Sequence, residues 1–197
     1  MLKQNSELRA QAREALKGKW VMAAVAAVIF MAISAGLSSI PVVGVLIMLL
    51  TLPIAYGFAI VMLNVFKGGE IDLGVLFEGF NDYGRILGTK VLQTVYTALW
   101  SLLLFVPGVI KQYSYAMTDY ILKEEPELRN NAAIEKSMAM MDGHKMKLFL
   151  LDLSFIGWAL LCILTFGLGF LFLQPYMQVS HAAFYADLKA QQTPTEE

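Results

Sequence analysis

From Trp20 to Phe66 the chain has 47 consecutive residues without one Asp, Glu, Lys, Arg or His, over twice the ~20 apolar residues that carry a helix across a bilayer. Charge is scarce elsewhere too. Only 16% of residues are charged and 57% are hydrophobic, with a mean hydropathy of +0.59, whereas a soluble domain carries about 25% charged residues. A soluble globular fold is therefore excluded. The net charge of -1 excludes a nucleic-acid partner, since phosphate binding needs clustered cations. Cys162 is the single cysteine, which excludes intrachain disulfides and thiol relays and leaves it as a small hydrophobe. His144 and His181 are the only histidines, and HExxH, GxSxG, Walker and GxGxxG motifs are all missing. Zinc hydrolase and nucleotide-driven chemistry lose their residues with them, and no cofactor is expected. The first 19 residues mix Glu7 and Glu14 among the basic ones, so the first apolar run reads as an uncleaved anchor rather than a signal peptide.

What is present is helix-forming and apolar. Further charge-free runs cover 91 to 110 and 153 to 180. The first run breaks at Ile40-Pro41-Val42-Val43-Gly44, because proline lacks a donor and glycine admits a turn, giving spans near 20–40 and 43–66. A second pair falls at about 85–106 and 109–122, turning at Val106-Pro107-Gly108. A third falls at about 147–165 and 168–187, turning between Thr165 and Gly169. The fold class is an all-α membrane protein of six transmembrane helices in three hairpins, each preceded by a short cytoplasmic amphipathic helix. One membrane domain covers 1–190, and 191–197 is a short polar tail. Pro53 and Pro175 each fall early in the second span of a hairpin, where kinks are expected.

Fourteen of the fifteen Lys and Arg residues fall on one side, five before the first span, three at 67–90, five at 123–147 and one at 189; Lys111 alone falls opposite. Short basic loops remain in the cytoplasm, so both termini are cytoplasmic and the three apolar turns face outward.

Two series of glycines share one period. Gly18, Gly84 and Gly143, each beside a cation, recur after 66 and 59 residues, and Gly44, Gly108 and Gly167 recur after 64 and 59. Apolar residues at helical spacing precede each member of the first series: Leu8, Ala12, Ala15 and Leu16; Leu73, Leu76, Phe77 and Phe80; Ile134, Met138 and Met141. Three repeats follow, about 5–66, 72–122 and 130–187. Asn5 or Ser6, Asp72 and Asn131 occupy N-cap positions, and the apolar stripes are expected to rest at the lipid headgroup boundary. Arg9, Arg13 and Lys17, four residues apart, form a cationic stripe suited to anionic lipid or to setting topology.

Polar groups inside the spans are the remaining candidates, since a charge at the bilayer centre costs roughly 2.5 kcal/mol or more. Lys90, Asp119, Asp152 and His181 each lie four to six residues inside the cytoplasmic ends, roughly 6 to 9 Å deep at ~1.5 Å per residue. Gln93 and Asp152 each stand nine residues after their repeat glycine, and Gln178 joins the same half. One reading is a polar cluster with Lys90 pairing Asp152 or Asp119 and His181 at its edge, able to bind a headgroup or move a proton. The other is structural: Lys90 snorkels, the carboxylates are wetted, and His181 hydrogen-bonds within the bundle. Lys111, with Tyr113 and Tyr115, marks the outer boundary, while Gly84 and Gly88 make one GxxxG for close helix contact.

The stretch from Asn5 to Trp20, then Leu76-Phe77-Glu78-Gly79-Phe80, Val106 to Met117, Met141-Asp142-Gly143-His144-Lys145, and Leu153 to Trp158 together resemble an uncharacterised bacterial integral-membrane family, domain of unknown function 975. The resemblance implies a bacterial plasma-membrane protein and supplies no activity or catalytic residue. In layout the chain is also similar to the membrane domain attached to some glycerophosphodiester phosphodiesterases, which implies at most a lipid-facing role. The expected function is a non-enzymatic scaffold or lipid-interacting component whose partners are membrane lipids and membrane proteins. The alternative is a small-solute or proton-coupled transporter or channel using the polar cluster.

Overall fold

The computed structural model describes residues 2–35, 41–103 and 105–192. Their regular elements are all helical, with no strand among the described residues: α1 (Asn5–Ala15), α2 (Trp20–Ala35), α3 (Pro41–Phe66), a 3-10 helix (Leu73–Phe80), α4 (Tyr83–Leu103), α5 (Phe105–Ser114), α6 (Thr118–Glu124), α7 (Asn131–Met140), α8 (Lys145–Leu153), α9 (Ile156–Leu164) and α10 (Phe170–Gln192). They form two compact units built from non-contiguous chain. The first comprises Met1–Ala27, Met62–Ile71 and Met146–Glu197; the second comprises Val28–Val61 and Asp72–Lys145.

Among the described residues, two helical stretches are long and apolar enough to cross a membrane, Leu49–Phe66 and Lys145–Leu164, or up to three if the bent pair Asn5–Ala15 and Trp20–Ser34 counts as one. That is fewer than the six spans the sequence pattern predicts. The shortfall has identifiable sources. α4 has the length but carries Lys90, Gln93 and four threonines and serines, and α10 carries Gln174, Gln178, Ser180 and His181. The stretch expected to be one span at 109–122 is divided at Tyr115–Met117 between α5 and α6.

The expected turns also shift. Pro41 is the first residue of α3, where proline's missing N–H costs nothing, so Gly44 lies inside the helix; Ile40 lies outside the described residues. Gly108 likewise sits inside α5. Its role is close approach: a Cβ there would meet Ser101 Oγ at 2.2 Å on α4. The third turn stands where expected, with Phe166 and Gly167 at φ +52° and +87°.

In the first unit α1 packs against α10 with Leu8, Ala12 and Leu16 fully buried. Its apolar stripe therefore rests on protein, not on headgroups as the sequence reading had it. Each leucine so buried contributes roughly 1.5–3 kcal/mol relative to exposure to water. Gln4, not Asn5 or Ser6, is the N-cap, its N–H donating to Glu7 Oε2 at 2.9 Å. The Lys3 N–H donates to Asp187 Oδ2 at 2.7 Å, fastening the chain's start to α10. Gly18, at φ +77°, takes the left-handed conformation that only glycine adopts freely, and α2 leaves α1 at 98°.

In the second unit the 3-10 helix lies directly on the α3 backbone. A Cβ on Gly57 would stand 2.1 Å from Leu76 O, and one on Gly79 would stand 2.5 Å from Pro53 O. Asp72 caps the 3-10 helix by accepting from Gly74 N at 2.7 Å. α7 packs on α6, α4 and α5, and its N-cap position is Asn130 rather than Asn131, with no side-chain capping bond. The GxxxG glycines do not make one helix contact: nothing lies within 4 Å of a Cβ on Gly84, and Gly88 abuts the Asn130 side chain.

Candidate functional site

Helix breaks free backbone groups that an apolar environment cannot solvate, and the polar side chains of this protein gather at two of them. In the second unit the break is Tyr115–Met117. Ser137 of α7 spans it, accepting from Met117 N at 3.2 Å and donating to Ser114 O at 2.9 Å. Gln93 Nε2 of α4 donates to Tyr115 O at 3.3 Å, where Thr118 Oγ1 also donates at 2.8 Å. One turn from Gln93, Lys90 Nζ lies 3.0 Å from both carboxylate oxygens of Asp119, with side chains only 13% and 17% exposed. Arg85, buried near the start of α4, donates to Leu122 O and Leu128 O at 3.1 and 3.2 Å.

The first unit repeats this arrangement with other residues. α8 and α9 are separated by Ser154 and Phe155. Arg9 of α1 reaches that break, its Nη1 donating to Ser154 O at 3.2 Å while the guanidinium lies 6.0 Å from the Phe155 ring centroid. Asp152, just before the break, contacts His181 Nε2 of α10 at 2.5 Å, each side chain 23% exposed. Gln178 is half-buried one turn earlier in α10.

The predicted polar residues are thus brought together as two pairs, each within its own unit. Lys90 meets Asp119, one of the two partners the sequence allowed, and Asp152 pairs with His181 instead. Lys111 lies 5.0 Å from the Trp100 ring centroid, a cation–π contact between α5 and α4.

The cationic stripe divides. Arg9 faces protein at the α8–α9 break, whereas Arg13 and Lys17 are exposed, Lys17 within 3.4 Å of Glu14 Oε1. Arg13 stands at the rim of a cleft of about 410 Å³. Its long walls are Trp158, Leu161 and Cys162 of α9 and Phe172, Leu173 and Tyr176 of α10. Tyr176 is held by its hydroxyl, which donates to Arg9 O at 3.3 Å, and by its ring, which packs edge-on against Phe155 and Trp20.

This cleft escaped sequence reasoning, although a signal exists. Residues 158, 161, 162 and 165 on one side and 169, 172, 173 and 176 on the other have identical spacing, one apolar stripe per helix of a hairpin.

No curated protein and no solved structure shows significant similarity to the chain. The family whose model matches is described only as "Protein of unknown function (DUF975)". The match covers residues 103–192, from the end of α4 through α10, and over that segment the chain is similar to the DUF975 family.

Proposed function

We propose that this is a multi-pass plasma-membrane protein without catalysis of its own, which holds lipid at the cytoplasmic face and serves as a scaffold there. The observation that carries the reading is the setting of α1. This helix turns by 98° into the charge-free α2, buries Leu8, Ala12 and Leu16, and leaves Arg13 and Lys17 exposed. A helix placed across the direction of an apolar one lies in the plane of the headgroups when the latter enters the bilayer, and its free cations then meet anionic phosphates.

The six-crossing topology belongs to this proposal: α2, α3, α4, α5 with α6, α8 with α9, and α10. The distribution of Lys and Arg supports it, with both termini cytoplasmic. The three-repeat reading is supported by the order of docking. α1 packs on α10, the 3-10 helix on α3, and α7 on α5 and α6, so each surface segment sits on the second crossing of a hairpin other than the one it leads into. Reporter fusions after Gly44, Gly108 and Gly167 test the topology; activity on the outer side is expected at all three. Flotation of the purified chain with liposomes tests the lipid reading, with binding expected to rise with anionic lipid content and fall on substituting both Arg13 and Lys17 by Gln.

A second reading, transport of a small solute or proton, draws on Lys90–Asp119 and Asp152–His181, ionisable pairs on otherwise apolar helices. Such pairs mark ion pathways in membrane proteins. They also sit beside helix breaks that need polar partners, which supports the scaffold reading first.

A further inference from the structure

We infer that the cleft between α9 and α10 seats one acyl chain of an anionic phospholipid, with the Arg13 guanidinium at its rim holding the phosphate. This rests on the lipid-binding reading of the protein and names the site and the ligand class.

Shape comes first. The two wall stripes, each running seven residues, extend roughly 10 Å at ~1.5 Å per residue. The open cleft of about 410 Å³ is a slot for a chain. A partner helix, about 10–12 Å across with its side chains, needs an open face instead. Trp158, Leu161 and Phe172 are each about half exposed along its rims, so the slot opens outward from the protein.

Polarity comes second. An apolar wall alone selects nothing in a bilayer, because lipid tails are as apolar as leucine. Selection needs a polar end, and this slot has one. Arg13 is its charged lining residue and no carboxylate lines it. Tyr176, whose hydroxyl is anchored on Arg9 O, lines the slot together with Arg13. Trp20, Trp158 and Tyr176 gather at the Arg13 end, where amphipathic rings mark the headgroup level. A guanidinium presents the forked donors that phosphate oxygens accept, and the stem of Arg13 lies along apolar surface while its head stays wet.

The test uses the purified full-length chain in neutral detergent, titrated with phosphatidylglycerol, phosphatidylcholine or inorganic phosphate. Bound lipid is counted by native mass spectrometry. Occupancy is read independently in the unmutated chain from the alkylation rate of Cys162, the single cysteine and a wall residue. One phosphatidylglycerol per chain is expected, slowing Cys162 alkylation, with phosphatidylcholine weaker. Losing one charge-assisted contact lowers affinity at least about tenfold, so Arg13→Gln should do so, Leu161→Trp should block the chain, and Lys17→Gln should leave binding unchanged. Equal weakening by Arg13→Gln and Lys17→Gln, with Leu161→Trp inert and Cys162 unprotected, overturns the slot and leaves general lipid attraction standing. Inorganic phosphate binding as well as the lipid assigns a free-anion site and overturns the proposal, as does a dimer that Leu161→Trp abolishes. Failure of liposome flotation as well removes the underlying reading too.

Discussion

The Tyr83 hydroxyl donates at 3.3 Å to the carbonyl of Leu49, the group that Pro53, four residues on, leaves without its helical donor. A proline inside an apolar helix is tolerated when a neighbour re-satisfies the freed carbonyl, and here the neighbour is the first residue of α4. Tyr83→Phe is expected to lower stability by about 1 kcal/mol, the usual net value of one hydrogen bond. In a Pro53→Ala background, where the helix supplies its own donor, the same substitution should cost measurably less. A double-mutant cycle on thermal unfolding in detergent measures the difference, and equal costs in both backgrounds refute the coupling.

Gly57 and Gly84 look alike in the sequence and should behave in opposite ways. Alanine at 57 would drive its Cβ into the Leu76 carbonyl at 2.1 Å, a backbone atom that moves only with the whole 3-10 helix. A loss of about 2–4 kcal/mol is expected, in the range of severe overpacking. Alanine at 84 meets nothing within 4 Å inside α4, so it should be neutral or stabilising by up to about 1 kcal/mol from helix propensity. Unfolding midpoints of the two variants separate these outcomes.

Much of this was legible in the residues. The amphipathic segments, the Asp72 cap, the Gly167 turn and the Lys90–Asp119 option follow from spacing and charge. The helix breaks did not, because neither Tyr115–Met117 nor Ser154–Phe155 contains proline or glycine. Their hydrogen-bond partners, Ser137 and Arg9, stand 20 and 145 residues away. Gly108 misled for a related reason. Glycine reads as a turn when only the chain is visible, yet here it admits Ser101 of the neighbouring helix. Arg9 and Arg13 occupy one stripe by periodicity, and only packing decides that one faces a helix break and the other a lipid-sized slot.

That division gives a prediction of its own. Arg9→Met removes the donor to Ser154 O and the contact with Phe155, and should lower the unfolding midpoint, with a free-energy cost of about 1.5–3 kcal/mol for a charged hydrogen bond. Arg13→Gln should leave the midpoint in lipid-free detergent unchanged. A shift of equal size in both variants would falsify the assignment of separate roles.

Lys90 and Asp119 decide between structural and transport readings. Breaking a buried pair strands one charge, so Lys90→Met and Asp119→Leu should each cost about 3–5 kcal/mol, whereas the double variant should recover most of the loss. If the pair is structural, the double variant retains the cellular phenotype of the wild type. A folded double variant that loses the phenotype moves the assignment to a charge-dependent pathway.

Ser137 offers the sharpest test of how the α5–α6 break is held. Its hydroxyl satisfies Met117 N and Ser114 O together, and the side chain is fully buried. Alanine removes both partners at once and leaves a donor and an acceptor without water to receive them. The expected cost is about 1–3 kcal/mol for each stranded group, large for the loss of one oxygen atom. Cysteine keeps the shape with weaker hydrogen bonding, so Ser137→Cys should fall between alanine and wild type. Hydrogen exchange locates the effect: amides of Met117 and its neighbours in α6 should lose protection in Ser137→Ala, while those of α10, in the other unit, keep theirs. A uniform loss in both units would instead mean that Ser137 stabilises the chain globally and does not act at the α5–α6 break.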